Sequence, residues 1–262
     1  MEIKIDFTKS AQENATQYYE ASKKSKLKAD GALKSVVELK KKLQHVEEEK
    51  EKSKTIHTIE KREWYEKYNW FFTSTGLLVI GGRSADQNEE LYSKHFEEND
   101  LFFHGDIFGA SVVIFKGGTT STLDERLEVA QFSASFSKAW EMAQNTVDVY
   151  SVSKEQVTKT RNYGSLGKGS FVILGEREWY RGVQLSLCAF IEEKTLQNGS
   201  SKRFNIIPTL TCNKKQISSF ISITIGNTKK SDAAKKISFL LKYDNIDYIM
   251  QHLPPGSFSI KQ

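Results

Sequence analysis

The chain has 262 residues, 38% hydrophobic and 27% charged, with 16 Gly and only 3 Pro, which excludes wholesale disorder and collagen-like structure and suffices for one large core or two small ones. Lys and Arg number 38 against 33 Asp and Glu, a net charge of +5 that suits a polyanionic partner without demanding one. No run of about 18 apolar residues occurs, and Met1-Glu2-Ile3-Lys4-Ile5-Asp6 lacks the parts of a signal peptide, so a soluble, cytoplasmic protein with no membrane partner is expected.

From about Thr8 to Arg62 the chain is rich in Lys, Glu, Ala and Gln, has no Pro and a single Gly31, and predicts one very long helix. Alternating steps of four and three trace a heptad seam through Ala11, Ala15, Tyr18, Ser22, Ser25, Ala29, Ala32, Val36, Leu39, Leu43 and Val46. Val36, Leu39, Leu43 and Val46 are its aliphatic part and the expected coiled-coil interface, half of a coiled coil that needs a partner helix. A helix of roughly 45–55 residues spans on the order of 70–80 Å, a length suited to spacing or docking.

Composition changes at Trp64, where Trp64-Tyr65, Tyr68 and Trp70-Phe71-Phe72 form an aromatic cluster ahead of the apolar strand Leu77–Ile80 and its Gly81-Gly82 turn. Further strands are predicted at Leu101–His104, Ser111–Lys116, Val147–Val152, Ser170–Leu174, Val183–Ile191, Phe204–Thr211 and Ile217–Ile225. Helices are predicted at Asp86–His95, Leu123–Ala143, Asp232–Lys242 and Ile246–Gln251, which with the irregular alternation implies an α+β fold on a mostly antiparallel sheet. Cys188 and Cys212 stand alone in apolar segments and read as buried reduced thiols.

Arg83, with Asp86, Gln87, Asn88 and Glu89, follows the Gly81-Gly82 turn; it reads either as an anion site at a helix start or as a capping turn with Asp86 as the N-cap. His104 and Asp106 are two residues apart on an extended segment and would share a face, as a hydrogen-bonded structural pair rather than a catalytic one. The remaining histidines, His45, His57, His95 and His252, lack metal-ligand spacing, so no metal is expected. Tyr163–Phe171 is glycine-rich and carries Lys168, but Gly169 interrupts the Gly-Lys-Ser/Thr order of a phosphate-binding loop, which excludes nucleotide hydrolysis. Arg177, Trp179 and Arg181, beyond that turn, interleave bases with an aromatic as RNA-binding surfaces do; an ordinary hairpin with a core aromatic is the alternative.

Taken together these stretches resemble the RNA-associated C-terminal module of the NFACT family and the coiled-coil stem that precedes it, most like the archaeal branch. The resemblance rests on Trp64–Phe71, Leu78–Arg83 with Gln87-Asn88-Glu89, Asp100–Ala110 with Val113–Lys116, and Gly169–Ile173 with Gly175. Asp6-Phe7, Glu13-Asn14-Ala15 and Tyr18-Tyr19 are similar to the family's stem, and Leu253-Pro254-Pro255-Gly256 to its archaeal ending. It divides the chain into a stem at 1–62, an RNA-associated domain at 63–185 and a strand-helix extension at 186–262 packed on it.

The resemblance implies a non-enzymatic factor of ribosome-associated quality control that needs no cofactor. Its partners would be the large ribosomal subunit and tRNA, and it would support mRNA-independent tailing of nascent chains. The relatives' N-terminal domain has no counterpart here, which would make this chain a fragment or the product of a split gene; through the coiled coil it would meet that domain or a second copy of itself. Arg83, Asn88, His104, Asp106, Lys116, Lys168, Arg177, Trp179 and Arg181 are the nucleic-acid-binding candidates. The competing reading is a protein-interaction adaptor that dimerises or docks through the stem; an enzyme built on His104 and Asp106 comes third.

Overall fold

A computed structural model of the protein describes residues 4–52, 63–160, 166–196 and 199–261, with the backbone alone described at 42–52, 194–196 and 199–201. The chain divides into two compact units, Met1–Glu60 and Lys61–Gln262.

The first unit is the helix α1 (Ala11–Lys52). Ser10 and Glu13 close its first turn reciprocally: the Ser10 N–H donates to Glu13 Oε2 (2.7 Å) and the Glu13 N–H to Ser10 Oγ (3.3 Å). Asn14, one turn in, accepts from the Asp6 N–H and donates to the Asp6 carbonyl, both at 2.9 Å, while the Tyr18 hydroxyl donates to the Lys4 carbonyl at 2.6 Å. The motif residues Asp6, Glu13, Asn14 and Tyr18 therefore start the helix by folding the leading segment onto it. Val36 and Leu39 are 50% and 59% exposed, so this stretch of seam is uncovered. The side chains of Leu43 and Val46, and the predicted helix beyond Lys52 to Arg62, lie outside the described residues.

The second unit opens with a single turn at Trp64–Lys67 and then builds a six-stranded antiparallel sheet. Its strands are β1 (Asn69–Phe72), β2 (Leu78–Gly81), β3 (Leu101–Gly105), β4 (Val113–Phe115), β5 (Thr146–Ser153) and, after the short pair β6 (Val157–Thr158) and β7 (Val172–Ile173), β8 (Glu178–Gln184), in the order β1-β2-β4-β3-β5-β8. Helix α2 (Ala85–Glu90) runs into a wider turn at Leu91–His95, and α3 (Leu123–Ser135) lies between β4 and β5 in sequence. Both sheet faces are buried, which explains the continuous apolar runs: Phe103, Val113, Phe115 and Val149 pack with α3, whereas Phe102, Ile114 and Val152 pack with Leu91 and Phe96.

The aromatic cluster at Trp70-Phe71-Phe72 is itself the strand β1. The predicted helix Leu123–Ala143 stops at Ser135, where the chain turns through Ser137 so that Ala139 and Trp140 enter the core.

The chain passes from this sheet into a second one through Leu185 alone, so the strand expected at Val183–Ile191 is two strands. The second sheet, ordered β10-β9-β11-β12, comprises β9 (Ser186–Leu196), β10 (Gly199–Pro208), β11 (Ile221–Lys229) and β12 (Ser257–Lys261). Helix α4 (Thr209–Lys214) replaces the end of the strand predicted to reach Thr211, because Pro208 closes β10. Helices α5 (Lys230–Leu241) and α6 (Ile246–His252) complete a core continuous with that under the first sheet.

The cysteines depart from expectation. Folding α4 back beside β9 brings Cys212 to Cys188, Cα to Cα 6.6 Å, and the two form a disulfide instead of lying as free thiols.

Candidate nucleic-acid interface

Strand β8 is an edge of the six-stranded sheet, and alternation puts Arg177, Trp179 and Arg181 on one face of it. Across the ladder Trp179 stands opposite Tyr150, and Tyr150 opposite His104, so three rings from three strands form a row. The Arg177 guanidinium lies 4.6 Å from the Tyr150 ring centre and that of Arg181 lies 4.0 Å from Trp179. Trp179, half-buried, meets Tyr150 edge-on at 5.4 Å, which leaves part of its indole available for stacking. Asp148 fixes the end of the row: its carboxylate accepts from Arg181 Nη1 and the Gly182 N–H, each at 2.7 Å, and these bonds hold its carboxyl below the usual carboxylate range.

The other end of the row opens into a cavity of about 580 Å³, with His104, Tyr150 and Phe102 on its floor and Arg83, Asn88 and Lys168 in its wall. Desolvation pushes the His104 pKa below the ordinary histidine value. The glycine-rich turn forms one rim by packing on the first turn of α2: Gly169 has φ +73°, and a Cβ there would stand 2.8 Å from Ala85 Cα, so the loop needs glycine on both counts. Lys168 pairs with Asp86 and Lys159 with Glu89, which docks this loop onto α2. Tyr163, at the start of the turn, lies outside the described residues.

The N-cap of α2 is Ser84, whose hydroxyl accepts from the Gln87 N–H at 3.3 Å, rather than Asp86. Arg83 turns back from this cap and donates to Asn69 Oδ1 and to the Tyr68 carbonyl, both at 2.9 Å. Asn88 accepts from the Val112 N–H at 3.3 Å and so ties α2 to the sheet.

His104 and Asp106 do not form the expected pair. The strand ends at Gly105, the Ile107 N–H turns back onto the Gly105 carbonyl at 2.8 Å, and no hydrogen bond joins the two side chains among the described residues. Asp106 lines a separate depression with Gln144–Asp148. Lys116 also stands apart: its ammonium donates to Asp100 Oδ2 (2.6 Å), Glu97 Oε2 (2.9 Å) and the His95 carbonyl (3.0 Å), away from the row and from the residues that line the cavity.

Tyr150, Phe108 and Lys138, which sequence reasoning passed over, all line the same cavity. Only the cross-strand register places Tyr150 between His104 and Trp179; the lone aromatic Phe108 beside Gly109 was the one local signal. Among the described residues no group of three or more His, Cys, Asp or Glu could hold a metal ion, and no helix is long and apolar enough to cross a membrane.

The second unit is thus an α+β unit that carries a cationic, aromatic edge next to a ring-floored cavity. Residues 67–175 match the family described as the NFACT protein RNA binding domain. The chain is similar to the archaeal Rqc2 homolog aRqcH of Methanocaldococcus jannaschii, with 35% identity over 203 residues, 76% of this chain and 29% of that protein. It is also similar to the ribosome quality control complex subunit NEMF homolog of Drosophila melanogaster, with 33% identity over 192 residues, 71% and 19% of the respective chains. Among solved structures, the C-terminal part of the fibronectin/fibrinogen-binding protein from Streptococcus suis is similar at 22% identity and a TM-score of 0.39 over 49% of each chain. The chain belongs to the NFACT family, and it spans less than a third of the length of these curated relatives.

Proposed function

We propose that this chain is the RNA-binding part of a ribosome-associated quality-control factor, one that contacts tRNA and the large ribosomal subunit during mRNA-independent tailing of stalled nascent chains. The observation that carries the reading is the alternation of Arg177, Trp179 and Arg181 over Tyr150 on an exposed strand edge, next to a region that matches an RNA binding domain. Guanidinium groups grip phosphates while a ring between them stacks on a base or sugar. No residue is assigned a catalytic role in this reading.

The test is a titration of tRNA against wild type and the Lys168→Ala, Arg177→Ala, Arg181→Ala triple variant at two salt concentrations. Each cation taken away from a phosphate should weaken binding and flatten the salt slope by just under about one unit on a duplex. Unchanged affinity and slope in a folded variant would remove both this edge and the Lys168 rim of the cavity from the RNA site. The adaptor reading draws on the uncovered seam at Val36 and Leu39, and would instead give salt-insensitive association.

A further inference from the structure

The ring-floored cavity shares a wall with a second cavity of about 300 Å³, the common residues being Arg83, Gly109, Ser111 and Lys138. Both volumes fall in the roughly 300–1,000 Å³ range of small-ligand sites. The second cavity adds Lys230 and the turn Leu253-Pro254-Pro255 to its lining, and no acidic side chain lines either one.

Three cations meet there without carboxylate partners among the described residues. Arg83 donates only to neutral oxygens, those of Asn69 and Tyr68, and Lys230 donates to the Leu253 carbonyl at 2.8 Å. Lys138 lies across Gly109, with its ammonium 5.8 Å from the Phe108 ring centre; Gly109 has φ +76°, and a Cβ there would stand 2.8 Å from the Lys138 stem. Nearby lysines of the same unit are paired, Lys67 with Glu90 and Lys159 with Glu89. Burial, reinforced by the charge of Arg83, pushes the Lys230 ammonium below its ordinary range. Lys230 is half-buried while Arg83 and Lys138 are exposed, and three such neighbouring cations without a counter-charge are stabilised by an incoming anion.

The aromatic part of the site adjoins this cationic part. Phe108 is 88% exposed in the wall of the larger cavity, an unusual setting for a phenylalanine, with the His104 and Tyr150 rings on the floor. The Tyr150 hydroxyl makes no hydrogen bond with a described residue and is free to meet a base edge. Rings beside convergent cations match a nucleotide, and a base reaches such a depression only when it is out of its helix.

We propose that the two cavities form one site for a single unpaired RNA nucleotide, its base against Phe108, His104 and Tyr150 and its phosphate held by Arg83, Lys138 and Lys230. The inference rests on the RNA-binding reading and extends it to a cavity that adjoins the β8 edge and shares Tyr150 with it. The experiment uses the full chain and four probes: an RNA hairpin with one bulged fluorescent purine, the same hairpin abasic at the bulge, its fully paired counterpart, and free AMP. Wild type should prefer the bulged RNA to the other two by roughly tenfold, the effect of one charged hydrogen bond or one stacked base. The purine's fluorescence should change on binding, and excess AMP should reverse the change. Phe108→Ala and Lys138→Ala alter side chains with no hydrogen bond of their own, so the variants keep the fold, as thermal melts would verify. They should lose the preference and keep the binding of paired RNA. Equal, salt-dependent affinity for all three RNAs would overturn the nucleotide site and leave the RNA reading intact. Salt-dependent binding to none of them would overturn that reading as well, and AMP binding alone would overturn the RNA nucleotide as ligand.

Discussion

His104 is set in strand β3 with its ring among Phe102 and Tyr150, where a charge is poorly solvated. Its pKa is lowered in the folded state, so below the ordinary value of 6.5 the unfolded chain takes up a proton that the folded chain resists. Stability from this residue is therefore full above that value and is lost as pH falls beneath it. Thermal melts between about pH 7 and about pH 5 should show a declining Tm; His104→Gln should remove part of the decline, and His95, whose pKa desolvation also lowers, carries the rest in the same window. Carboxylates with lowered pKa, Glu97, Glu125 and Asp148 among them, act in a lower window, beneath their own ordinary values, and remain in that variant. At Asp100, whose side chain is 2% exposed, the carboxylate accepts from Lys116 Nζ, the Gly117 N–H and the Glu97 N–H. Asp100→Ala strands the two N–H donors and takes the buried partner from Lys116, and should cost about 3–5 kcal/mol in chemical denaturation, whereas neutralising an exposed ion pair costs about 1 kcal/mol or less.

At the scale of elements, α1 depends on partners for its stability. An isolated helix gains little beyond propensity and its cap, and Val36 and Leu39 stand uncovered. We propose that a second copy covers the seam. Val36→Asp with Leu39→Asp should abolish self-association in sedimentation equilibrium, since each places a charge in an apolar seam; a wild-type monomer with a fully helical stem at high concentration would contradict it. Strand β8 shows the complementary case, an edge whose one-sided row of Arg177, Trp179 and Arg181 also resists strand addition through charge. Its geometry depends on the neighbour β5, because the bulge near Asp148 and the turn of Gly182 set where Arg181 points.

Across the whole molecule, α3 is the joint between the two sheets. Glu128 is fully buried; its carboxylate accepts from the Ser74 N–H and hydroxyl on the β1–β2 turn and from the Thr211 hydroxyl on α4, and forms an ion pair with Lys214 at 3.1 Å. Beside it Glu125 caps α3 with Thr122 and takes the Thr75 hydroxyl. Glu128→Ala would leave several buried donors unmatched, so a loss of about 3–5 kcal/mol is expected. The same variant should raise hydrogen exchange in both β1–β2 and α4, because one side chain serves both.

Features set by local chemistry are legible along the chain. Lys, Glu and Ala without Pro dictated the long helix; short apolar runs bounded by turn residues dictated most strands; the turn before Gln87-Asn88-Glu89 and the Arg177–Trp179–Arg181 alternation were legible because helix starts and strand faces depend on neighbours a few positions away. What needed the tertiary structure was every relation set by distant partners. His104 parted from Asp106 because the chain turns at Gly105, and Lys116 was withdrawn from the surface by Asp100, sixteen residues earlier. Cys188 met Cys212 because α4 folds back on β9, and Arg83, Lys138 and Lys230 converged from the turn after β2, the turn after α3 and the start of α5. No periodicity encodes such encounters: burial and register fix them, and both arise only when the two sheets close on α3.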